Sequence, residues 1–408
     1  MPTPDRLVID ENWSDLERVR EKPDVDLERL HAYRTARLME EMKQRDIALC
    51  VMVSPISLRY AINYRNYAAF ISHIPCTYLF YPVEGEFVLH NGFDPALPDR
   101  NKRKGRAISY FYGGENLERS AQLLAKDIAD FLTEIGASSR KVAVEYVNPS
   151  ITLALARLDI EVVDGVLVTE RARLIKSKEE IDCIRWAVAV AELGMSKVRE
   201  ALRPGVTELQ LWGLLNYANL ANNGDWHDGR MLASGPRTNP WFQEASERKV
   251  ESGDLVAFDT DMIGQMGYFA DVSRTFFCWP GKPTRRQKHL YRMAMEEIDH
   301  NLALIRPGVR FSELQEAAYP VPEEFQAGAY PCFLHGVGMC DEYPHLQSRF
   351  RGTLPYEDAL EAGMVLCIES YMGAQGETDG VKLEQQIVVT PSGYELLTAF
   401  PYEDGLAD

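Results

Sequence analysis

No stretch of the 408-residue chain reaches the roughly 18 consecutive apolar residues of a membrane helix, so a membrane protein is not expected. Basic residues are scarce: 44 Lys and Arg stand against 61 Asp and Glu, a formal net charge of −17. Nucleic-acid binding needs a basic face, which excludes that class. The acidic surplus favours a cationic ligand over an anionic one, though acidic surfaces are common in soluble proteins. The seven cysteines are scattered singly, with no Cys-x-x-Cys, and fit reduced core thiols better than disulfides or a structural zinc site. The N-terminus lacks a basic-then-apolar leader, which favours the cytoplasm.

What is present describes an ordinary globular chain, 46% apolar and 26% charged, long enough for about two domains. Helical and strand patterns alternate from about residue 28 to 165. An amphipathic helix runs from Leu27 to Arg45, and a buried strand over Ile47–Val53 stops at Ser54-Pro55. Further strands are expected at Thr77–Tyr81, Glu86–Leu89 and Lys141–Glu145, and a helix over Leu117–Ile135. These make residues 1–168 an α/β domain on a mixed sheet. Residues 169–408 form the second domain, packed tightly against the first because no low-complexity linker separates them. There Ser177-Lys-Glu-Glu is a capping box opening a helix that ends at Arg203-Pro204-Gly205, and Thr207 caps the next. Strands dominate from Val256 to Phe277, a helix spans Thr284–Leu304, and strands return from Met364 to Val389.

The second domain repeats itself. Arg203-Pro-Gly-Val-Thr-Glu-Leu recurs as Arg306-Pro-Gly-Val with Ser312-Glu-Leu following. Gly253-Asp-Leu-Val-Ala-Phe-Asp259 is echoed by Gly363-Met-Val-Leu-Cys-Ile-Glu369. Each copy is a Gly turn, an apolar run and a terminal acid, with a second acid beyond, Asp271 or Glu384. Internal repeats fix the fold before any single motif does. Two related halves facing each other would bring these acids together, and clustered carboxylates repel unless a cation lies between them.

Strand alternation puts Asp259 and Asp261 on one face, with Asp271 opposite them across a hairpin turned at Gly264–Gly267. Glu369 and Glu384 come from the second hairpin. His335 adds a nitrogen, and the glycines after it let the backbone approach closely. One His with four or five carboxylates suits two adjacent divalent first-row ions better than a structural zinc.

These residues resemble those of the pita-bread metallopeptidase superfamily, which includes methionine aminopeptidase, prolidase, aminopeptidase P and creatinase. The likeness extends over nearly the whole chain, including Arg173-Leu-Ile-Lys-Ser-Lys-Glu-Glu-Ile and both Arg-Pro-Gly-Val segments. It implies an α/β creatinase-like N-terminal domain and an α+β pita-bread catalytic domain with a pseudo-twofold repeat. It also implies a metal-ligand order of Asp, Asp, His, Glu, Glu, falling on Asp261 (or Asp259), Asp271, His335, Glu369 and Glu384.

Three departures separate the chain from the peptidases. The substrate-handling His about seven residues after the metal His is absent, and Asp341 of Gly338-Met-Cys-Asp-Glu-Tyr-Pro stands near its place. The His ahead of the first Asp is missing from Ser234-Gly-Pro-Arg-Thr-Asn-Pro-Trp-Phe-Gln243. Two Asp residues, not one, precede Asp271. All three are similar to the branch of bacterial lyases that cleave dimethylsulfoniopropionate to acrylate and dimethyl sulfide. That likeness implies two divalent ions, iron first with manganese, cobalt or zinc as alternatives. It further implies a homodimer, a small zwitterionic substrate and Asp341 as the base.

An elimination base must take a proton α to a carboxylate, and burial would raise a feeble Asp base toward neutrality. A leaving sulfonium is a cation that aromatic faces attract, and Tyr330, Trp241, Phe242 and Tyr371 lie near the ligands in sequence. His227 and His345 are further polar neighbours, more often solvated than not. In the relatives the first domain covers the active site, often the partner's, which makes Tyr60, Tyr64 and Phe70 pocket residues. Two other readings remain: a dinuclear X-Pro dipeptidase or aminopeptidase, and a catalytically inactive relative that binds a small zwitterion.

Overall fold

Among the described residues, Asp26 opens the first helix, Leu27–Gln44, its carboxylate accepting the Arg29 N–H at 3.1 Å. The computed structural model describes residues 22–65, 67–106 and 114–407. The chain divides into two units, Asp26–Arg173 and a second that runs on from Leu174.

Among the described residues of the first unit, six strands form one mixed sheet. They are β1 (Leu49–Met52), β2 (Tyr78–Pro82), β3 (Val88–His90), β4 (Lys102–Arg103), β5 (Lys141–Val144) and β6 (Glu161–Asp164). Their order is β4-β3-β2-β1-β5-β6, with β1 antiparallel to β2 and parallel to β5. The Leu117–Glu134 helix buries Ala121, Leu124, Ala125, Ile128, Phe131 and Leu132, the three-and-four spacing of one helix face, within the core beneath the sheet. The α/β reading of this unit holds. The edge strands β4 and β6 and the helix Pro55–Ile62 add to it. A two-residue edge strand such as β4 carries no alternation that could be read.

The second unit begins with a reciprocal cap. Ser177 N–H donates to Glu180 Oε2 at 2.8 Å and Glu180 N–H to Ser177 Oγ at 3.2 Å, opening the helix Lys178–Ala201. Thr207 and Gln210 repeat the device for Glu208–Ala221, as do Thr284 and Gln287 for Arg285–Leu302. Around these helices lie β7 (Trp226–His227), β8 (Leu232–Ser234), β9 (Leu255–Asp259), β10 (Met262–Ile263), β11 (Phe269–Ala270) and β12 (Ser273–Phe277). The second half adds β13 (Leu334–Val337), β14 (Asp341–Leu346), β15 (Val365–Met372), β16 (Val381–Thr390) and β17 (Gly393–Leu396). They form sheets ordered β11-β10-β7, β12-β9-β8 and β14-β13-β15-β16-β17.

The internal repeat is visible in the backbone. Gly205 N–H donates to Val250 at 2.8 Å and Gly308 N–H to Leu360 at 2.7 Å. Val250 and Leu360 return the bond to Val206 and Val309 at 2.8 and 2.9 Å. The glycines opening the two acid-bearing strands, Gly253 and Gly363, share a left-handed φ of 90° and 94°, a conformation that favours glycine. Side chains close the seam between the two halves. Thr275 Oγ1 donates to the Lys382 carbonyl at 2.9 Å and accepts its N–H at 3.0 Å, while buried Arg274 donates to the Glu384 carbonyl at 2.7 Å. The strands β9, β12 and β15 are buried along their whole length.

One local expectation is corrected. The run Val256–Asp261 is not one strand: β9 ends at Asp259, and Asp261 adopts a left-handed φ of 38°. Thr260 takes over from the backbone ladder, its hydroxyl donating to Ala270 O at 2.8 Å and accepting Val272 N–H at 3.0 Å. The chain therefore turns into a different sheet. Asp259 and Asp261 converge through this kink, not through strand alternation.

Candidate metal centre

Asp259 ends β9, and Asp271 lies between β11 and β12. Glu369 and Glu384 are direct cross-strand partners on β15 and β16. Like charges opposite one another destabilise a sheet, so the pair needs a cation or a retained proton beside it. Asp259, Asp271, Glu369 and Glu384 are buried, as is His335 on β13, while Asp261 is half-buried. The register shifts by a bulge between His335 and Gly336. A Cβ at Gly336 would collide with the Tyr343 carbonyl, so only glycine lets β13 and β14 meet there.

Three groups of potential ligand atoms each lie within 4.8 Å: Asp259 with Asp261 and Asp271; Asp259 with Glu369 and Glu384; and Asp271 with His335, Cys367 and Glu384. Asp259, Asp271 and Glu384 each belong to two groups, an overlap suited to a pair of neighbouring ions. His335 Nε2 stands 3.2 Å from Glu369 Oε1, 3.6 Å from Asp271 Oδ2 and 3.8 Å from Glu384 Oε1. Buried polar atoms are almost always paired. Yet Asp259 Oδ1, Asp271 Oδ1 and Glu384 Oε1 have no hydrogen-bond partner among the described residues. Three orphaned carboxyl oxygens beside an imidazole fit divalent cations.

The electrostatics agree. Burial, then the neighbouring carboxylates, pushes Asp271 and Glu384 well above the usual carboxylate range, and Asp261 likewise through burial and Asp259. Burial also opposes ionisation of Asp259, but the Lys382 ammonium holds it below its ordinary value. Burial alone would depress His335. The surrounding charges of Asp341, Glu369 and Glu384 instead raise it to about 10. Cations entering such a nest must displace protons.

Lys382 escaped the sequence reading. It shares a strand face with Glu384 two residues away, is fully buried, and reaches Glu369, Ser273 Oγ (2.6 Å), Asp259 Oδ2 (3.0 Å) and Glu384 Oε2 (3.5 Å). Its ammonium also faces the Tyr330 ring at 4.6 Å and the Trp241 ring at 5.9 Å. Cys367, cross-strand from His335, is a second unforeseen neighbour, its thiol 3.6 Å from the Asp271 carbonyl. In both cases the strand period carried the signal, because these residues share parity with Glu384 and Glu369.

The other expected residues separate into those at the nest and those apart from it. Asp341 opens β14 with Oδ1 3.5 Å from His335 Nδ1, and its side chain is 56% exposed. Tyr371 is packed against Trp241, and its hydroxyl is committed to the Thr238 carbonyl at 2.8 Å. Phe242 holds a left-handed φ of 68°, is 57% exposed and stacks on Tyr330 at 5.5 Å. A bulky residue in that conformation is rare and concentrates at functional sites. His227 is drawn to the Thr260 carbonyl at 2.7 Å, and burial lowers its pKa to about 4. His345 stacks on His335 at 5.9 Å. Tyr60 and Tyr64 are buried within the first unit, while Phe70 is exposed.

Residues 182–391 match the sequence profile of metallopeptidase family M24. The chain belongs to family M24. Its M24 relatives include the dimethylsulfoniopropionate lyase DddP of Roseovarius nubinhibens, 34% identical over 396 residues that cover 93% of this chain and 88% of that protein. The Roseobacter denitrificans protein of the same name is 32% identical over the same shares. The Xaa-Pro dipeptidase of Pyrococcus furiosus is 29% identical, over 57% of this chain and 65% of its own. Among solved M24-type folds, Xaa-Pro dipeptidase from Bacillus anthracis superposes with a TM-score of 0.69 at 21% identity, covering 91% of this chain and 98% of that one. The X-Pro aminopeptidase of Thermotoga maritima gives 0.70 at 18%, covering 90% and 98%. The expected pita-bread fold is thereby established. No helix among the described residues is long and apolar enough to cross a membrane.

A buried acid lies behind this M24 centre. Glu297 accepts the Ser370 hydroxyl at 2.6 Å, and burial raises its pKa from 4.5 to about 8. The folded state therefore keeps a proton that the unfolded chain releases above pH 4.5, and stability drains away between pH 4.5 and 8. Glu297→Gln removes that loss. Its Tm relative to wild type should rise from pH 5 to pH 8, by an amount reflecting on the order of a few kcal/mol. A Tm difference that stays constant across the window would contradict the assignment.

Proposed function

We propose that this chain is a metal-dependent carbon–sulfur lyase cleaving dimethylsulfoniopropionate to acrylate and dimethyl sulfide. The observation that carries the proposal is Asp341, an exposed carboxylate beside His335 at the edge of a buried carboxylate nest. Two M24 relatives named for this activity, aligned over 93% of the chain, support the same reading.

In this reading Asp259, Asp261, Asp271, His335, Glu369 and Glu384 hold two divalent ions, iron first, with manganese, cobalt or zinc as alternatives. When bound, the ions supply Lewis acidity to the substrate carboxylate and so favour enolate-like charge. Asp341 removes a proton from the carbon next to that carboxylate. The C–H electron pair becomes the new C=C bond, the C–S bond breaks, and its electrons leave on neutral dimethyl sulfide, with the proton on Asp341. Lys382 already occupies one side of Tyr330 and Trp241, so the sulfonium is left the exposed Phe242 ring and its stack with Tyr330. Tyr371 acts as a wall behind Trp241. The protein works as a cytoplasmic homodimer, and light scattering at micromolar concentration should return twice the 46.3 kDa chain mass; a single chain mass would oppose the dimer.

A parallel assay of dimethylsulfoniopropionate and X-Pro dipeptides on one metal-loaded preparation tests the proposal. Acrylate is expected from the former and no free proline from the latter. The reverse outcome identifies a peptidase, and turnover of neither, with both ions bound, identifies an inactive binding relative.

A further inference from the structure

We infer that Lys382 is the resident counter-cation of the nest, a positioning residue that turns one oxygen of Asp259, Glu369 and Glu384 inward for the metal ions. The inference rests on the metal reading above, not on the choice of substrate. Lys382 takes Asp259 Oδ2, Glu369 Oε2 and Glu384 Oε2, the last also held by the Ser273 hydroxyl at 2.9 Å. The opposite oxygens of two of these residues, Asp259 Oδ1 and Glu384 Oε1, are among the orphans, while Glu369 Oε1 faces His335. Each carboxylate is thus divided, with one oxygen for the lysine and one toward the centre.

The surroundings hold the ammonium inside the nest. It is fully buried, and the Tyr330 and Trp241 rings cap it, so water does not compete for its charge. The charges also balance. Five carboxylates (Asp259, Asp261, Asp271, Glu369 and Glu384) face two divalent ions, and Lys382 provides the remaining positive charge. With His335 neutral, the loaded centre is neutral before an anionic substrate group arrives.

Two effects of removing Lys382 oppose each other, and their sign decides the matter. Coulomb attraction alone predicts tighter metal binding once a competing cation is gone. Lost orientation of the ligands predicts weaker binding, roughly 10- to 100-fold for groups that hold metal ligands. The experiment is a Mn(II) titration of the chelated, re-purified protein, reading bound ion by elemental analysis after equilibrium dialysis. Wild type is expected to bind two ions. Lys382→Met should bind them about 10- to 100-fold more weakly, and Lys382→Arg, which keeps charge and donors, should recover most of the affinity. If Lys382→Met does not fold, Lys382→Gln is measured instead, with the same expectation. Equal or tighter binding by the neutral variant, or failure of Arg to rescue, overturns the inference. A wild type that takes up no Mn(II) overturns the metal reading and this inference together. Two bound ions with no cleavage of dimethylsulfoniopropionate overturn only the substrate reading.

Discussion

Asp341→Asn is expected to lower turnover of dimethylsulfoniopropionate by roughly 10²-fold or more, the usual scale for losing a general base. The substitution preserves shape and one hydrogen-bonding oxygen but removes the charge and the basic lone pair. Both ions should stay bound at saturating metal, because Asp341 stands outside the three ligand groups, with Oδ1 3.5 Å from His335 Nδ1. Asp341→Glu should keep part of the activity, since an exposed side chain has room for one methylene. Single-turnover rates with metal content measured on the same samples check both points. Near wild-type elimination by Asp341→Asn would place the base elsewhere.

The second large effect is expected from the nest itself. Asp271 belongs to two of the three ligand groups, and His335 is the one nitrogen in any of them. Asp271→Ala or His335→Ala should each remove at least one ion and reduce activity to background. The fold should survive. With its pKa pushed well above the ordinary range, Asp271 is a neutral acid once the metal is gone, so its loss leaves no buried charge unpaired. Elemental analysis and circular dichroism separate the two consequences. Full metal content in either variant would count against the ligand assignment.

The parts legible in the sequence are those with local causes. The Ser177–Glu180 box and the Thr207 cap are local signals, and both formed, the latter with Gln210 completing a second box. The repeated glycines and terminal acids announced two matching halves, and the backbone bonds of Gly205 and Gly308 reproduce one another. What escaped depends on contacts between distant segments. Thr260 breaks its strand because Ala270 and Val272 reach its hydroxyl, which no propensity encodes. Lys382 in Val381-Lys-Leu-Glu reads as a solvated strand residue until β9 and β12 close over it. Tyr330 and Trp241, expected to face a leaving sulfonium, lie against the chain's own Lys382 ammonium, a contact between distant segments. Asp341, expected near the place of the peptidases' second His, opens β14 with Oδ1 3.5 Å from His335 Nδ1, an approach set by the pairing of β13 with β14 that no local pattern encodes.

Headspace analysis of metal-loaded and chelated protein mixed with dimethylsulfoniopropionate tests the central claim most directly. Dimethyl sulfide should accumulate with equimolar acrylate from the loaded protein, vanish on chelation and return when the metal is restored. A loaded, folded protein that leaves the sulfonium intact contradicts the assignment.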